Sequence, residues 1–263
     1  MYTKMKLCIA LVASVISIAL PAAGAAQSIA LYVQHDKVDA ALARGGTLIN
    51  TSNVRVAGAH RAKAGGLDTQ KDTSILYVTD GEATIVAGGE TRRLAKGDVI
   101  VIPAGTAQSF TEVSRPISYY LVTVPVLEPG GAPRVTFVDR EKVATTLKKA
   151  GPLADGPNLK VSGGYRTGPY APADYRPDVE VHTSEADLFY VIDGDATLIT
   201  GGTVVGGKTT APGQIRGSSI DGGNTNHLSK GDVMWVPAGV PHWFPQIPRP
   251  LSYLLVKVLQ QTP

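Results

Sequence analysis

Cysteine is nearly missing from this chain: Cys8 is the single one among 263 residues. No internal disulfide can form, so stability must come from packing, from a metal ion or from oligomerisation. Aromatic residues are sparse at 6% and charged residues make up only 18%. The balance of 25 Lys and Arg against 22 Asp and Glu leaves a formal charge of +3, with no basic run. Nucleic-acid binding needs a concentrated cationic footprint, so no nucleic-acid partner is expected. Beyond the N-terminus no stretch approaches 18 consecutive apolar residues, and no stable membrane insertion is expected. What is abundant is glycine (29) and proline (18), which point to many turns and few long helices. With 43% hydrophobic residues the chain can bury a real core, as one large or two modest domains.

The first 26 residues read as an export signal. Lys4 and Lys6 form a positive start, Leu7 to Leu20 is an apolar stretch of 14 residues, and Pro21 to Ala26 is a small-residue tail with cleavage options after Ala25 or Ala26. Cleavage would remove Cys8, lower the charge to about +1, and place the chain in the periplasm or outside the cell. An uncleaved anchor is the alternative.

The remainder contains itself twice. Lys96-Gly97-Asp98 through Pro103-Ala104-Gly105 returns as Lys230-Gly231-Asp232 through Pro237-Ala238-Gly239, an offset of 134. Arg115-Pro116 through Val122 returns as Arg249-Pro250 through Val256 at the same offset. Upstream, Leu76 to Thr84 matches Phe189 to Thr197 at an offset of 113, and Val56 to Arg61 matches Val161 to Arg166 at 105. The change from 113 to 134 places 21 extra residues in the second copy, around Val204 to Asn224. Four blocks in one order imply duplication of a whole domain. The expected domains are 27–128 and 134–263, joined by a linker at Glu128 to Pro133.

Each copy reads as mostly strand. Ile75 to Val78, Ala83 to Val86, Asp98 to Ile102 and Ile117 to Val124 are β-branched or aromatic runs, separated by Asp-Gly, Gly-Gly and Lys-Gly-Asp turns. An all-β sandwich or jelly-roll barrel is expected. Two short helices are predicted at Asp36 to Ala43 and Asp139 to Lys149, with Asp139 as N-cap.

Glu180-Val181-His182-Thr183-Ser184-Glu185-Ala186-Asp187, followed by Gly194, resembles the first motif of the cupin superfamily. Gly231-Asp232 through Pro237-Ala238-Gly239-Val240-Pro241-His242 resembles the second. The first motif departs from the family pattern, because Glu180 holds the first histidine position and Asp187 the usual glutamate position. The resemblance implies an exported bicupin: two tandem jelly-roll β-barrels, with the metal motif in the second.

In an extended strand Glu180 and His182 share a face, as do Asp187, Phe189 and Val191 on the next strand. If that face is interior, two carboxylates and two imidazoles converge, a cluster that a divalent cation compensates most simply. His182, His242 and Asp187 would form a two-histidine, one-carboxylate set, with Glu180 as a fourth ligand or a general base. Fe, Mn and Zn are the candidate ions. The competing reading makes both histidines ordinary interior residues, Glu180 a residue at the barrel mouth, and Asp187 too short to reach. His35, His60 and His227 match no motif position and read as structural or surface. The first copy is a control: Leu67, Thr69, Ser74 and Gln108 stand at the four positions, and none is a good ligand.

Phe189 and Phe244 are candidate pocket walls, with core packing as the alternative. Gln246 is expected to face inward and Trp243 outward by alternation from His242. Tyr165, Tyr170, Tyr175 and Arg166 precede the first motif and are candidate contacts at the mouth. The insertion, residues 204–224, is long enough for a lid or a dimer contact, and nothing in it looks catalytic. The leading reading is a metal-dependent enzyme acting on a small oxygen-rich molecule such as an organic acid, sugar derivative or phenolic, with dioxygenase chemistry first and isomerase or lyase chemistry second. A non-enzymatic small-molecule or metal-binding protein is the reading from a different class. A homodimer is one option for assembly.

Overall fold

A computed structural model describes residues 29–67, 69–127, 134–169 and 178–260. The expected export signal, the linker at Glu128 to Pro133, Tyr170 and Tyr175 lie outside the described residues. In the upstream half the elements are β1 (Leu31–Val33), α1 (His35–Arg44), β2 (Gly46–Asn50), β3 (Arg55–Arg61), β4 (Gly65–Leu67), β5 (Thr73–Ala87), β6 (Glu90–Ala95), β7 (Val99–Ile102) and β8 (Gln108–Val124). Next come β9 (Thr136–Val138), α2 (Arg140–Thr146), β10 (Gly151–Gly156), β11 (Leu159–Arg166), β12 (Val179–His182) and β13 (Glu185–Thr200). The chain continues through β14 (Thr203–Val205), β15 (Lys208–Ala211), β16 (Gln214–Gly217), β17 (Ser219–Asp221), β18 (Asn224–Ser229), β19 (Val233–Val236) and β20 (His242–Leu259). The fold is all-β with two short helices. Asp139 caps α2 as expected, its carboxylate accepting from the Lys142 amide at 2.8 Å.

The strands form two large antiparallel sheets. One runs β2-β3-β8-β5-β7-β9, with β4 on β8 and β6 on β5; the other runs β1-β19-β13-β20-β12-β16-β15, with β11 on β20, β10 on β11 and β18 on β13. The leading strands are exchanged. β1 pairs with β19 of the downstream sheet, whereas β9 pairs with β7 of the upstream sheet. Each following helix returns to its own half, α1 against β2 and β3, α2 against β10 and β11. Two buried carboxylates lock the exchange. Asp232 accepts from the His35 amide at 2.7 Å and the Ser229 amide at 2.8 Å, and Asp98 accepts from the Arg140 amide and the Ala95 amide, both at 2.8 Å. These aspartates come from the two Lys-Gly-Asp segments, Lys96 to Asp98 and Lys230 to Asp232.

A shared hydrophobic layer joins the halves, with Val38, Ile75, Tyr77 and Tyr120 against Leu188, Tyr190, Trp235 and Leu254. Tyr120 stacks on Tyr190 with ring centroids 4.8 Å apart. Each half also has a private cluster, built upstream on Leu76, Ile85, Phe110 and Tyr119 and downstream on Phe189, Leu198, Phe244 and Tyr253. Each of these side chains contributes about 1.5–3 kcal/mol by leaving water.

The Asp-Gly turns expected from the sequence are not turns. β5 and β13 run unbroken through Gly81 and Gly194, with register shifts on both sides of each bend. Both glycines have φ 88°, and a Cβ there would lie 2.0 Å from the Pro116 carbonyl oxygen or 1.9 Å from that of Pro250. The close approach of the neighbouring strand, rather than a chain reversal, requires glycine at these bulges.

Candidate metal centre

Three neighbouring strands deliver the candidate ligands. Glu180 and His182 alternate on β12, and Glu180 stands directly opposite His242, the first residue of β20. Asp187 lies on β13 opposite Lys257 of β20. The Pro237-Ala238-Gly239 turn is fastened to the first motif by the Gly239 amide, which donates to the His182 carbonyl at 2.8 Å. On β13, Asp187, Phe189 and Val191 turn to the private cluster, and Leu188 and Tyr190 to the shared layer, as alternation requires.

Glu180, His182 and His242 each offer a ligand atom, all within 4.8 Å of one another. Glu180 Oε2 lies 3.5 Å from His182 Nε2 and 3.9 Å from His242 Nε2. Asp187 Oδ2 lies 3.4 Å from His182 Nε2 and 3.5 Å from His242 Nε2. Donors bound at about 2.1 Å to one tetrahedral ion sit about 3.4 Å apart, so this spacing suits a divalent cation with small adjustment. His182 Nε2 is buried and has no partner with hydrogen-bond geometry, an orphan that a metal ion would satisfy. The residues therefore fit the ion that the donor chemistry implies.

Both imidazoles are set to present Nε2. His182 Nδ1 donates to Gln214 Oε1 at 2.6 Å, and His242 Nδ1 faces the Val240 carbonyl at 3.4 Å. Asp187 is only 3% exposed and is divided between two tasks, with Oδ1 held by Lys257 Nζ at 2.6 Å and Oδ2 aimed at the imidazoles. Glu180, one-quarter exposed, stands at the rim. Its Oε1 lies 3.4 Å from an Arg166 terminal nitrogen, and its Oε2 lies 3.9 Å from one of Arg216.

These contacts set the protonation states. Burial works against ionised Glu180, but His182, His242, Arg166 and Arg216 outweigh it and hold its carboxyl well below the usual range. Asp187 is lowered in the same way: burial opposes its charge, and His182, His242 and Lys257 prevail. His242 is pushed down by burial and stays neutral, ready to ligate. For His182 burial is outweighed by Asp187 and Glu180, and its pKa rises to about 9. Without an ion, a proton on His182 balances the two carboxylates.

Phe189 and Phe244 form an aromatic wall. Phe189 meets His242 edge-on at 6.2 Å, Phe244 at 5.9 Å and Tyr253 at 5.2 Å. The Arg166 guanidinium lies 4.4 Å above the Phe244 ring, and its Nε is buried and unpartnered. Tyr165 alternates to the opposite face of β11 from Arg166 and is not brought to the cluster. Gln246 does not face inward. Thr197 pairs with Gln246 and Ile199 with Trp243, so β20 carries one extra residue between them, and this bulge turns Gln246 outward to the Thr197 hydroxyl at 3.3 Å. Glu185 opens β13 and pairs with Lys160 at 3.2 Å. His35 serves the Asp232 clamp, His60 contacts Ser118, and His227 is exposed.

The sequence reading missed Gln214, Arg216, Lys257 and Tyr253. Gln214 and Arg216 belong to β16 in the insertion, which pairs with β12 so that Arg216 faces Glu180 and Gln214 faces His182. The insertion thus supplies side chains that hold the ligands. Asp187 and Lys257 pair downstream where Ser74 and Thr123 pair in the upstream sheet.

Comparison with known proteins bears on the fold. Residues 50–118 match the family model of the EutQ-like cupin domain. Protein SCO3923 of Streptomyces coelicolor is 34% identical over 71 residues, 26% of this chain and 68% of that protein. Among solved structures, salicylate 1,2-dioxygenase from Pseudaminobacter salicylatoxidans superposes with a TM-score of 0.64 at 11% identity, covering 90% of this chain and 86% of that one. The Ylba protein from E. coli superposes with a TM-score of 0.54 at 14% identity, covering 89% and 84%. At these identities the two structures share the fold.

Proposed function

This chain belongs to the cupin family, and from that premise we propose that it is an exported bicupin enzyme that uses one divalent metal ion to oxidise a small, oxygen-rich organic anion. The observation that carries the reading is the convergence of two imidazole Nε2 atoms and the Glu180 carboxylate, with Asp187 Oδ2 beside them. His182, His242, Glu180 and Asp187 would hold the ion. Bound there, Fe, Mn or Zn supplies Lewis-acid polarisation, and iron in addition supplies oxygen activation.

The remaining roles belong to the chain. Glu180 is held ionised by two imidazoles and two guanidiniums, which suits a ligand better than a base poised near neutrality. Arg166 and Arg216 stand at the rim paired with Glu180, and once Glu180 turns to an ion the two guanidiniums would meet an acid better than a neutral sugar. Phe189, Phe244 and Tyr253, packed in the private cluster, exclude water on one side. Among the molecules considered, an aromatic hydroxy acid matches both features, and salicylate, the substrate in the name of the structural neighbour, is the first to try. Isomerase or lyase chemistry is the second reading, favoured by two carboxylates in one donor set.

The test is elemental analysis of tag-free protein, repeated on His182→Ala and His242→Ala, with oxygen uptake measured on salicylate and related acids. Stoichiometric iron lost in both variants, with oxygen consumption by the parent, supports the reading. Zinc without oxygen use moves it to isomerase, lyase or binding roles. Metal retained in either variant moves the site elsewhere. Export is tested separately by N-terminal sequencing of the mature chain, which should begin at residue 26 or 27.

A further inference from the structure

The downstream half holds Arg166 against Phe244 and Tyr253, and the upstream half repeats that arrangement. Arg61 lies 5.2 Å above the Phe110 ring, and Tyr119 packs against Phe110 at 5.8 Å. The three upstream residues occupy the positions of Arg166, Phe244 and Tyr253 at offsets of 105, 134 and 134. The four candidate ligands have no such counterparts, since Leu67, Thr69, Ser74 and Gln108 stand in their places. An arginine on an aromatic shelf is thus present in both halves, with a metal cluster in only one.

The charge around the two arginines differs. Arg166 faces Glu180, which neutralises it. Arg61 faces the Gly66 carbonyl at 3.4 Å and makes no ion pair among the described residues; the position of Glu180 is leucine here. Beside the arginine a groove of about 460 Å³ runs along β3, lined by Thr47, Arg55, Ala57, Ala59, Arg61 and Tyr119 among others. Among the described residues no acidic side chain lines it. The small alanines leave its floor open, and arginines stand at both ends. Two residues from Phe110 and on the same face, Gln108 takes the place of His242. It is 7% exposed, and its Oε1 is buried without a partner.

We infer that the upstream half is a second, metal-free binding site for a small carboxylate, whose anionic end pairs with Arg61 at the end of this groove. A planar guanidinium already braced on Phe110 binds a carboxylate through two N–H donors with little further loss of freedom. The body of the ligand lies along Ala57 and Ala59. This inference stands whether or not the downstream half is an oxidase.

Benzoate is the probe, titrated into the full chain by calorimetry in parallel with Arg61→Gln and Arg166→Gln. A saturable binding step that weakens at least tenfold in Arg61→Gln and persists in Arg166→Gln is expected. It should also weaken as salt is raised. Absence of saturable binding, or binding lost only in Arg166→Gln, overturns the inference. Should Arg61→Gln fail to fold by thermal melting, Arg61→Lys carries the same test, because it keeps the charge and loses the planar stack. Affinity equal to that of the parent in a folded Arg61 variant also overturns it.

Discussion

Gln214 accepts a hydrogen bond from Nδ1 of His182 at 2.6 Å, and it does so from a strand that the upstream half lacks. That bond fixes which ring nitrogen faces the cluster. Loss of such an orienting partner generally lowers metal affinity about 10–100-fold. Gln214→Leu should therefore fold normally and release its ion to a competing chelator at about 10–100-fold lower chelator strength. An unchanged affinity would show that the ring needs no support.

Asp187 and Lys257 form a part-buried cross-strand ion pair, and removing the lysine leaves the aspartate with only the two imidazoles beside it. Lys257→Met should cost about 1.5–3 kcal/mol in denaturant unfolding of the metal-free protein. The upstream sheet supplies the remedy: Asp187→Ser with Lys257→Thr copies the Ser74 and Thr123 pair. The double variant should recover most of that stability and bind metal poorly. Stability as low as in the single variant would contradict the pairing argument.

The metal-free protein should lose stability as pH rises. His182 is raised from 6.5 to about 9, so its proton binds the folded state more tightly than the unfolded one. The resulting stabilisation, on the order of 3 kcal/mol, is complete below about pH 6.5 and disappears as pH climbs through 9. Thermal melts of chelator-treated protein should fall across this window, and His182→Ala should flatten the fall. Metal binding should release about one proton at pH 7, detectable as buffer-dependent heat.

Gly194→Ala and Gly81→Ala should each be severely destabilising. The added Cβ would meet a proline carbonyl oxygen at 1.9 or 2.0 Å on a backbone with positive φ. Strain and displacement of the neighbouring strand together should cost about 3 kcal/mol or more. Soluble yield and urea midpoints would measure it. A change below about 1 kcal/mol would mean that the strands can separate there.

Much of the centre could be read from residue order alone. Glu180, His182 and Asp187 are candidates because they fall within eight residues on extended strands, His242 because its Pro-Ala-Gly-Val-Pro-His run resembles a cupin motif, and α2 because Asp139 is a local cap. What escaped depends on partners distant in sequence. Gly81 and Gly194 look like turn residues until the approach of Pro116 and Pro250 is known. Gln246 was assigned inward because one extra residue in β20 is invisible to strict alternation. Gln214 and Arg216 sit in a glycine-rich insertion whose strands become apparent only when β16 pairs with β12. Lys257 reads as an ordinary surface lysine until its cross-strand neighbour is seen to be Asp187.

The exchange of β1 and β9 makes each half structurally dependent on the other. A fragment beginning at residue 134 would leave the outer edge of β19 bare, and a fragment ending at 127 would do the same to β7. Such uncovered edges invite self-association. Dissecting the two candidate sites is therefore better done by point substitution in the intact chain than by expressing its parts.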